Sequence, residues 1–389
     1  MAIINLGTYP PKQCGIATFS QDLRRSLMKA GHTVLVAAVS DHEYEYQYPP
    51  EVIIEIGQHH RQDYLQAASQ INNDDTIDMV IIQHEYGIYG GTDGSYVLDF
   101  CEALHKPFAV VCHTVLPQPD ESHYRILVDL TRQASAVICM TENSASLLQR
   151  IYQVPSAKIN LITHGVPDFV PKSPRALKKR YGLQGRNVIT TFGLIGPGKG
   201  LELGIRAVAE VVKEYPDCTY LILGQTHPML QKSEGEKYRQ MLEQLVIDLD
   251  IAGNVKFVNH FLSDEELGDY LYLTDIYLSP YPNLDQAVSG TLTFAVGSGR
   301  AIVSTPYAHA LELLAEGRGL LTTRPDHQEL AQLMKSILAD PDLKKRLQSK
   351  AGQLGYTMSW TQVGRRYSQV LSKIAKPGQK TEGKKIHYA

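Results

Sequence analysis

The chain has 389 residues, too many for one ordinary hydrophobic core, so two domains are expected. With 43% hydrophobic residues, 20% charged residues and a formal net charge of −3, the composition is that of a soluble globular protein and gives no reason to expect nucleic acid as a partner. No stretch approaches the ~18 consecutive apolar residues of a membrane span, the opening MAIINLGTYPP does not read as a signal peptide, and five scattered cysteines without C-x-x-C spacing favour a reducing cytoplasm over a disulfide framework.

Short apolar runs then alternate with helix-length amphipathic segments, the pattern of parallel sheets covered by helices. Strands are predicted at AIINLG (2–7), TVLVAAV (33–39), VIIEI (52–56), DMVIIQ (78–83), FAVVC (108–112), AVICM (136–140) and INLI (159–162). Between the first two, TFSQDLRRSLMKAG (18–31) reads as a helix stopped by Gly31. Three prolines and a basic cluster in VPDFVPKSPRALKKRYGLQG interrupt the alternation, so 171–186 reads as a linker between a first domain, 1–170, and a second, 187–357.

The second domain repeats the pattern with strands NVITTFG (187–193), CTYLILG (218–224), NVKFV (254–258), DIYLS (275–279), AIVST (301–305) and GLLT (319–322). Two helices are expected from about 326 to 374, and the five lysines of KIAKPGQKTEGKKIHYA make 376–389 a solvated basic tail, with at most peripheral membrane association. The fold class is therefore α/β, two Rossmann-like, doubly wound domains facing across a cleft. In such sheets ligands sit beyond the carboxyl ends of the strands.

Five strand ends carry the chemistry. TTFGLIGPGKG (190–200) reads G-x-x-x-x-G-K through Gly193, Gly198 and Lys199, but Gly200 stands where a P-loop has the Ser or Thr that binds Mg²⁺. A strand, a glycine turn and a helix start still make a phosphate site, with Lys199 adding a full charge. Ser289, Gly290, Thr291 and Leu292 open another helix and offer hydroxyls and consecutive N–H donors. In the first domain, Gly15 opens a helix after the first strand, and His84, Glu85 and His113 lie at two further strand ends. DLD (248–250) and DPD (340–342) are read as helix ends, and His59-His60 lacks the spacing of a zinc site.

This order of motifs resembles glycosyltransferase family 4, the retaining enzymes of the GT-B fold, over essentially the whole chain. QHEYGIYGG, CHTVLPQP, ITHGVPD, TFGLIGPGKG and SGTLTFAVGSGRAIVSTPYAHALELLAEGRGLL are similar to a bacterial exopolysaccharide subgroup, in which the cyanobacterial heterocyst-envelope polysaccharide glucosyltransferase is placed. SWTQVGRRYSQVL (359–371) looks like the family's last helix, about 358–375, crossing back to the first domain.

The resemblance implies that Lys199 and the 289–292 turn hold the donor diphosphate beside Gly15 and Gly198, and that His113 lies near the transferred sugar. Glu85 would orient the acceptor, and His84 and His164 would lie in the acceptor or sugar pocket. Gln225, His260 and Phe261 would flank the base. The family's G-R-x-x-x-x-K arginine falls at Leu194, its E-x7-E glutamates at Gln286 and Phe294, and its N-G-V asparagine at His164. The implied activity is transfer of a hexose, most readily glucose from UDP-glucose, to a saccharide or lipid-linked acceptor in polysaccharide biosynthesis. It needs no cofactor and no metal, and takes place in the cytoplasm or at the inner face of the membrane. The alternatives are a GDP-mannose-dependent mannosyltransferase, an epimerase or hydrolase acting on a nucleotide sugar, and a degenerate sugar-nucleotide-binding subunit.

Overall fold

A computed structural model describes residues 1–41 and 45–375. The basic tail expected at 376–389 lies outside the described residues. Two parallel sheets account for the alternation of apolar runs. The first holds β1 (Ala2–Gly7), β2 (Thr33–Ser40), β3 (Val52–Gly57), β4 (Met79–His84), β5 (Phe108–Cys112), β6 (Ala136–Cys139) and β7 (Ile159–Leu161), in the order β3-β2-β1-β4-β5-β6-β7. The second holds β8 (Asn187–Phe192), β9 (Cys218–Leu223), β10 (Val255–Val258), β11 (Ile276–Ser279), β12 (Ala301–Ser304) and β13 (Leu320–Leu321), in the order β10-β9-β8-β11-β12-β13. All pairs are parallel, and strands such as β4, β5, β9 and β11 are buried throughout, as sheets covered on both faces require.

Three expectations change. The first helix runs Gly15–Lys29 rather than from Thr18, because Cys14 caps it, its Sγ accepting the N–H of Ala17 at 3.3 Å. The predicted linker contains a helix, Pro174–Arg180, with Pro174 in its first turn and Ser173 as its cap. The end of the chain forms three helices, not two. His327–Ala339 stops at Asp340, whose carboxylate caps Pro341–Thr357 through the N–H groups of Asp342 and Leu343, and a break at Met358 and Ser359 precedes Trp360–Ala375.

That last helix belongs to the core of the first domain. Trp360, Val363, Tyr367 and Leu371 pack with Ile3, Phe19, Leu23 and Leu27. It is tied in at its start, where Val166 N–H bonds Met358 O at 2.8 Å and Trp360 N–H bonds Val166 O at 3.0 Å, and Ser26 Oγ donates to Trp360 O at 2.6 Å. The helix crosses Gly15–Lys29 so closely that a Cβ on Gly364 would lie 1.8 Å from Ser26 Oγ and 3.0 Å from Ser26 O. Gly364→Val should therefore cost about 1–3 kcal/mol, as overpacking does, read from the urea midpoint; an unchanged midpoint would show that the two helices are not in contact there.

Candidate active site

The second domain's strand ends build the positive side of the cleft. β8 runs into Gly193, whose φ of 126° suits only glycine and where an added Cβ would lie 3.2 Å from both Lys199 Nζ and Thr291 Cγ2. A single turn, Pro197–Lys199, then meets Gly200 (φ 58°) and the helix Leu201–Val212. A Cβ on Gly200 would lie 2.1 Å from the carbonyl oxygen of Pro280. The Ser or Thr of a P-loop has no room here, so the near match to that motif is structural and carries no magnesium-binding hydroxyl.

Lys199 is half-buried, and its Nζ donates to Tyr281 Oη at 2.5 Å while lying 4.7 Å from the ring centroid. Tyr281 Oη is 2.8 Å from Thr291 Oγ1, which is 3.2 Å from Ser289 Oγ. Ser289 caps the helix Gly290–Gly297 by accepting the Leu292 N–H at 3.3 Å. The N–H of Leu292, expected in the phosphate cradle, is thereby occupied, and the donors left at this helix end are those of Gly290 and Thr291. The N–H of Ser289 itself bonds Nδ1 of buried His309 at 2.8 Å.

The first domain supplies the facing wall. His113 Nε2 is 2.9 Å from Gln83 Oε1, and Gln83 Nε2 donates to Asn5 Oδ1 at 2.8 Å. With its amide hydrogen on Asn5, Gln83 offers His113 only an acceptor, which fixes the Nε2–H tautomer and leaves Nδ1 as an acceptor. His164 donates Nδ1–H to Gly165 O at 2.7 Å, and its Nε2 would lie 3.1 Å from a Cβ on Gly290, so it touches the start of the phosphate-site helix. Phe19 meets both rings edge-on, His113 at 4.7 Å and His164 at 5.0 Å.

Glu85 accepts from Thr114 Oγ1 at 2.6 Å and from the Tyr86 N–H at 3.0 Å; burial raises its pKa against both bonds. His84, beside it, is buried with its ring edge-on to Tyr86 at 4.7 Å and its Nδ1 without a hydrogen-bond partner. Gly15 is exposed at its helix start, and the adjacent Gln13 accepts from Gln225 Nε2, joining the two domains across the cleft.

The proposed base end is open. His260 is exposed and 3.2 Å from Glu266, and Phe261 is 45% exposed. Behind both loops lies buried Arg239, which donates to Gly224 O at 3.0 Å and to the Asn259 side chain, fixing the ends of β9 and β10 together. Gly198 is exposed, with open space where a Cβ would stand, and Gln286 turns into its own loop, its Nε2 donating to Val288 O at 2.7 Å. Phe294 packs in the second core, stacked on Phe192 at 6.1 Å, so no carboxylate stands at either E-x7-E position.

Tyr281, His309 and Arg239 were not singled out from sequence. Only His309 had a signal, as a histidine just after β12. Asp93, Asp120 and His123 are the one group among the described residues whose potential metal-ligating atoms all lie within 4.8 Å, but Asp120 already caps its helix through the His123 N–H at 2.9 Å.

The two facing Rossmann-like domains with a lysine and a helix start at their cleft define a GT-B protein. The profile described as Glycosyltransferase Family 4 matches residues 14–168, and that described as Glycosyl transferases group 1 matches 175–354. The chain belongs to this glycosyltransferase family. Among curated relatives it is similar to alpha-D-kanosaminyltransferase of Streptomyces kanamyceticus, 26% identical over 57% of this chain and 56% of that one. It is also similar to a GDP-mannose-dependent alpha-(1-6)-phosphatidylinositol monomannoside mannosyltransferase of Mycolicibacterium smegmatis, 26% identical over 56% and 57%. The chain thus spans a little over half the length of the curated relatives it matches.

Among solved structures, sucrose-phosphate synthase of Thermosynechococcus elongatus superposes with a TM-score of 0.79 at 18% identity over 96% of this chain and 98% of that one. Anabaena HepE in complex with UDP and glucose superposes with a TM-score of 0.77 at 17% identity over 96% and 100%. At that identity these two structures speak for the fold.

Burial, the largest cause in each case, pushes His84 down to about 4 and both His113 and His309 down to about 3. These rings are neutral in the folded protein and take up protons on unfolding below their ordinary pKa of about 6.5. Their contribution to stability is present above that pH and is lost as pH falls toward 4. Between pH 6.5 and 5.5 the three together should remove on the order of 3 kcal/mol, read from urea midpoints at the two values; a flat profile would mean that they are charged or exposed.

Proposed function

We propose that the protein is a retaining glycosyltransferase that moves a hexose from a nucleotide diphosphate sugar to a saccharide or lipid-linked acceptor in polysaccharide biosynthesis. UDP-glucose is the donor the reading favours, and its place of action is the cytoplasm or the inner face of a membrane. The observation that carries this reading is the Lys199 ammonium, held by a phenol oxygen rather than a carboxylate, beside two helix-end N–H groups at the inter-domain cleft. A diphosphate leaving group needs that charge.

In the reaction, the C1–O bond to the distal phosphate breaks and its electron pair stays on the phosphate oxygen. An acceptor hydroxyl forms the new bond to C1 from the same face and gives its proton to the departing phosphate. Lys199 and the N–H groups of Gly290 and Thr291 stabilise the charge that develops. Preorganised donors of this kind are typically worth ~10²–10³ in rate each. Neutral His113, with Nδ1 as acceptor, suits a sugar hydroxyl, and Glu85 suits the acceptor. Lysine and helix end take the role of a metal, so none is required. HepE's complexes with UDP, UDP-glucose, or UDP and glucose support a uridine donor, while the mannosyltransferase relatives keep GDP-mannose as the second choice.

A thermal-shift panel of UDP, GDP, ADP and their sugars is expected to show its largest stabilisation with UDP-glucose. With the donor so chosen, Lys199→Ala should lower kcat/KM at least tenfold in a folded protein, and chelator should leave the rate intact. An unchanged kcat/KM removes Lys199 from the site, and turnover without acceptor favours a hydrolase or epimerase.

A further inference from the structure

Tyr281 lies just beyond the end of β11, 4% exposed, its ring stacked on Tyr307 at 5.0 Å and 15°. Its hydroxyl meets Lys199 Nζ at 2.5 Å, Thr291 Oγ1 at 2.8 Å and Ser289 Oγ at 3.5 Å. An ammonium only donates. The phenol oxygen therefore accepts from Lys199, and more weakly from Ser289 Oγ, and the phenolic proton is directed to Thr291 Oγ1. A tyrosyl O–H thus adjoins the ammonium in a chain whose sequence has Leu194 where the resemblance places an arginine.

We propose that Tyr281 is a second donor to the leaving diphosphate, its hydroxyl turning from Thr291 to a phosphate oxygen when the diphosphate docks on Lys199 and on the N–H groups of Gly290 and Thr291. The inference deepens the transferase reading and rests on it for the identity of the diphosphate. It also explains how the site operates with one cation fewer. The phenol supplies a directed hydrogen bond to a charged acceptor, and it holds the Lys199 side chain in place before the substrate arrives.

The same contact makes the site sensitive to alkali. Burial alone raises the Tyr281 phenol, but the adjacent Lys199 ammonium and its hydrogen bond outweigh it, so the pKa falls below the usual 10. The titratable groups facing it are Lys199 from the turn after β8, Tyr277 of β11 and Tyr307 beyond β12, with the hydroxyls of Ser289 and Thr291 on the remaining side. Of these, Lys199 is the one charged at neutral pH. A docked diphosphate neutralises that ammonium, so it should move the phenol's ionisation back up. Tyrosinate, having no proton to give, should bind diphosphate poorly.

The test uses the full chain, UDP and inorganic pyrophosphate. In the wild-type protein, tyrosinate absorbance followed upward from neutral pH should show one phenol ionising early, and either ligand should delay it. Tyr281→Phe, which keeps the ring stack, should abolish that early ionisation and weaken pyrophosphate binding about tenfold, the effect of one hydrogen bond to a charged group. It should also lower kcat more than it raises KM and remove the alkaline limb of the kcat/KM profile. Should the variant misfold, the wild-type affinity for pyrophosphate measured from neutral pH upward decides: it should fall as the phenol loses its proton, and an affinity flat through that range overturns the inference.

Unaltered pyrophosphate affinity and an unaltered pH profile in a folded Tyr281→Phe overturn the inference while leaving the transferase reading intact. Weakened pyrophosphate binding in a protein that turns over no nucleotide sugar overturns the transferase reading and supports the donor set. Failure of the wild type to bind either ligand overturns both.

Discussion

A lysine ammonium placed between two domains and held, among the described residues, by a phenol oxygen is the interaction on which the rest of the site depends. Lys199 ends the short loop between Gly193 and Gly200, two positions where a side chain would crowd Lys199 Nζ and Thr291 or strike the Pro280 carbonyl. Its partner Tyr281 is in turn fixed by the stack on Tyr307 and by Thr305 Oγ1, which donates to Tyr281 O at 2.6 Å. The helix Gly290–Gly297 brings its start to the same point, and His309 anchors the cap residue from behind. Each element narrows the freedom of one cation. Such preorganisation is what allows a charge to act on a transition state without rearrangement at the moment of reaction.

Residues from three separate stretches meet where the first domain touches the start of the Gly290–Gly297 helix, against which His164 lies. Phe19 from the first helix, His164 from the segment before the linker and Trp360 from the last helix meet edge-on or tilted, with centroids 5.0 to 5.9 Å apart. Gly165 lets this cluster close, since a Cβ there would lie 2.2 Å from the Trp360 ring. Two polar ties complete the junction. Gln13 meets Gln225 across the cleft, and the Glu312 carboxylate accepts the N–H groups of Glu142 and Asn143 at 2.8 and 3.2 Å, an anion set at a helix start of the other domain.

Much of this was readable from the chain because parallel sheets write themselves as unbroken apolar runs. Every predicted strand exists, with ends displaced by at most one residue. The local motifs were legible for a similar reason: a glycine turn after a strand and a Ser-Gly-Thr helix start are set by neighbours in sequence. What escaped was long-range. Tyr281 follows an ordinary strand, and nothing nearby shows that its hydroxyl reaches Lys199, 82 positions earlier. Arg239 lies inside an amphipathic helix and reads as a surface residue until the ends of β9 and β10 close over it. The N–H of Leu292 was credited to the cradle because its capture by Ser289 is a matter of rotamer, which sequence does not carry. The near P-loop was rejected for its missing hydroxyl, and the deeper reason, the Pro280 carbonyl against Gly200, is visible only in three dimensions.

The most direct test of the central claim is a crystal structure of the protein with UDP. The account predicts the diphosphate in the inter-domain cleft, with oxygens about 3 Å from Lys199 Nζ and from the N–H groups of Gly290 and Thr291. A nucleotide bound with its phosphates away from that corner, and Lys199 still resting on Tyr281, would contradict it.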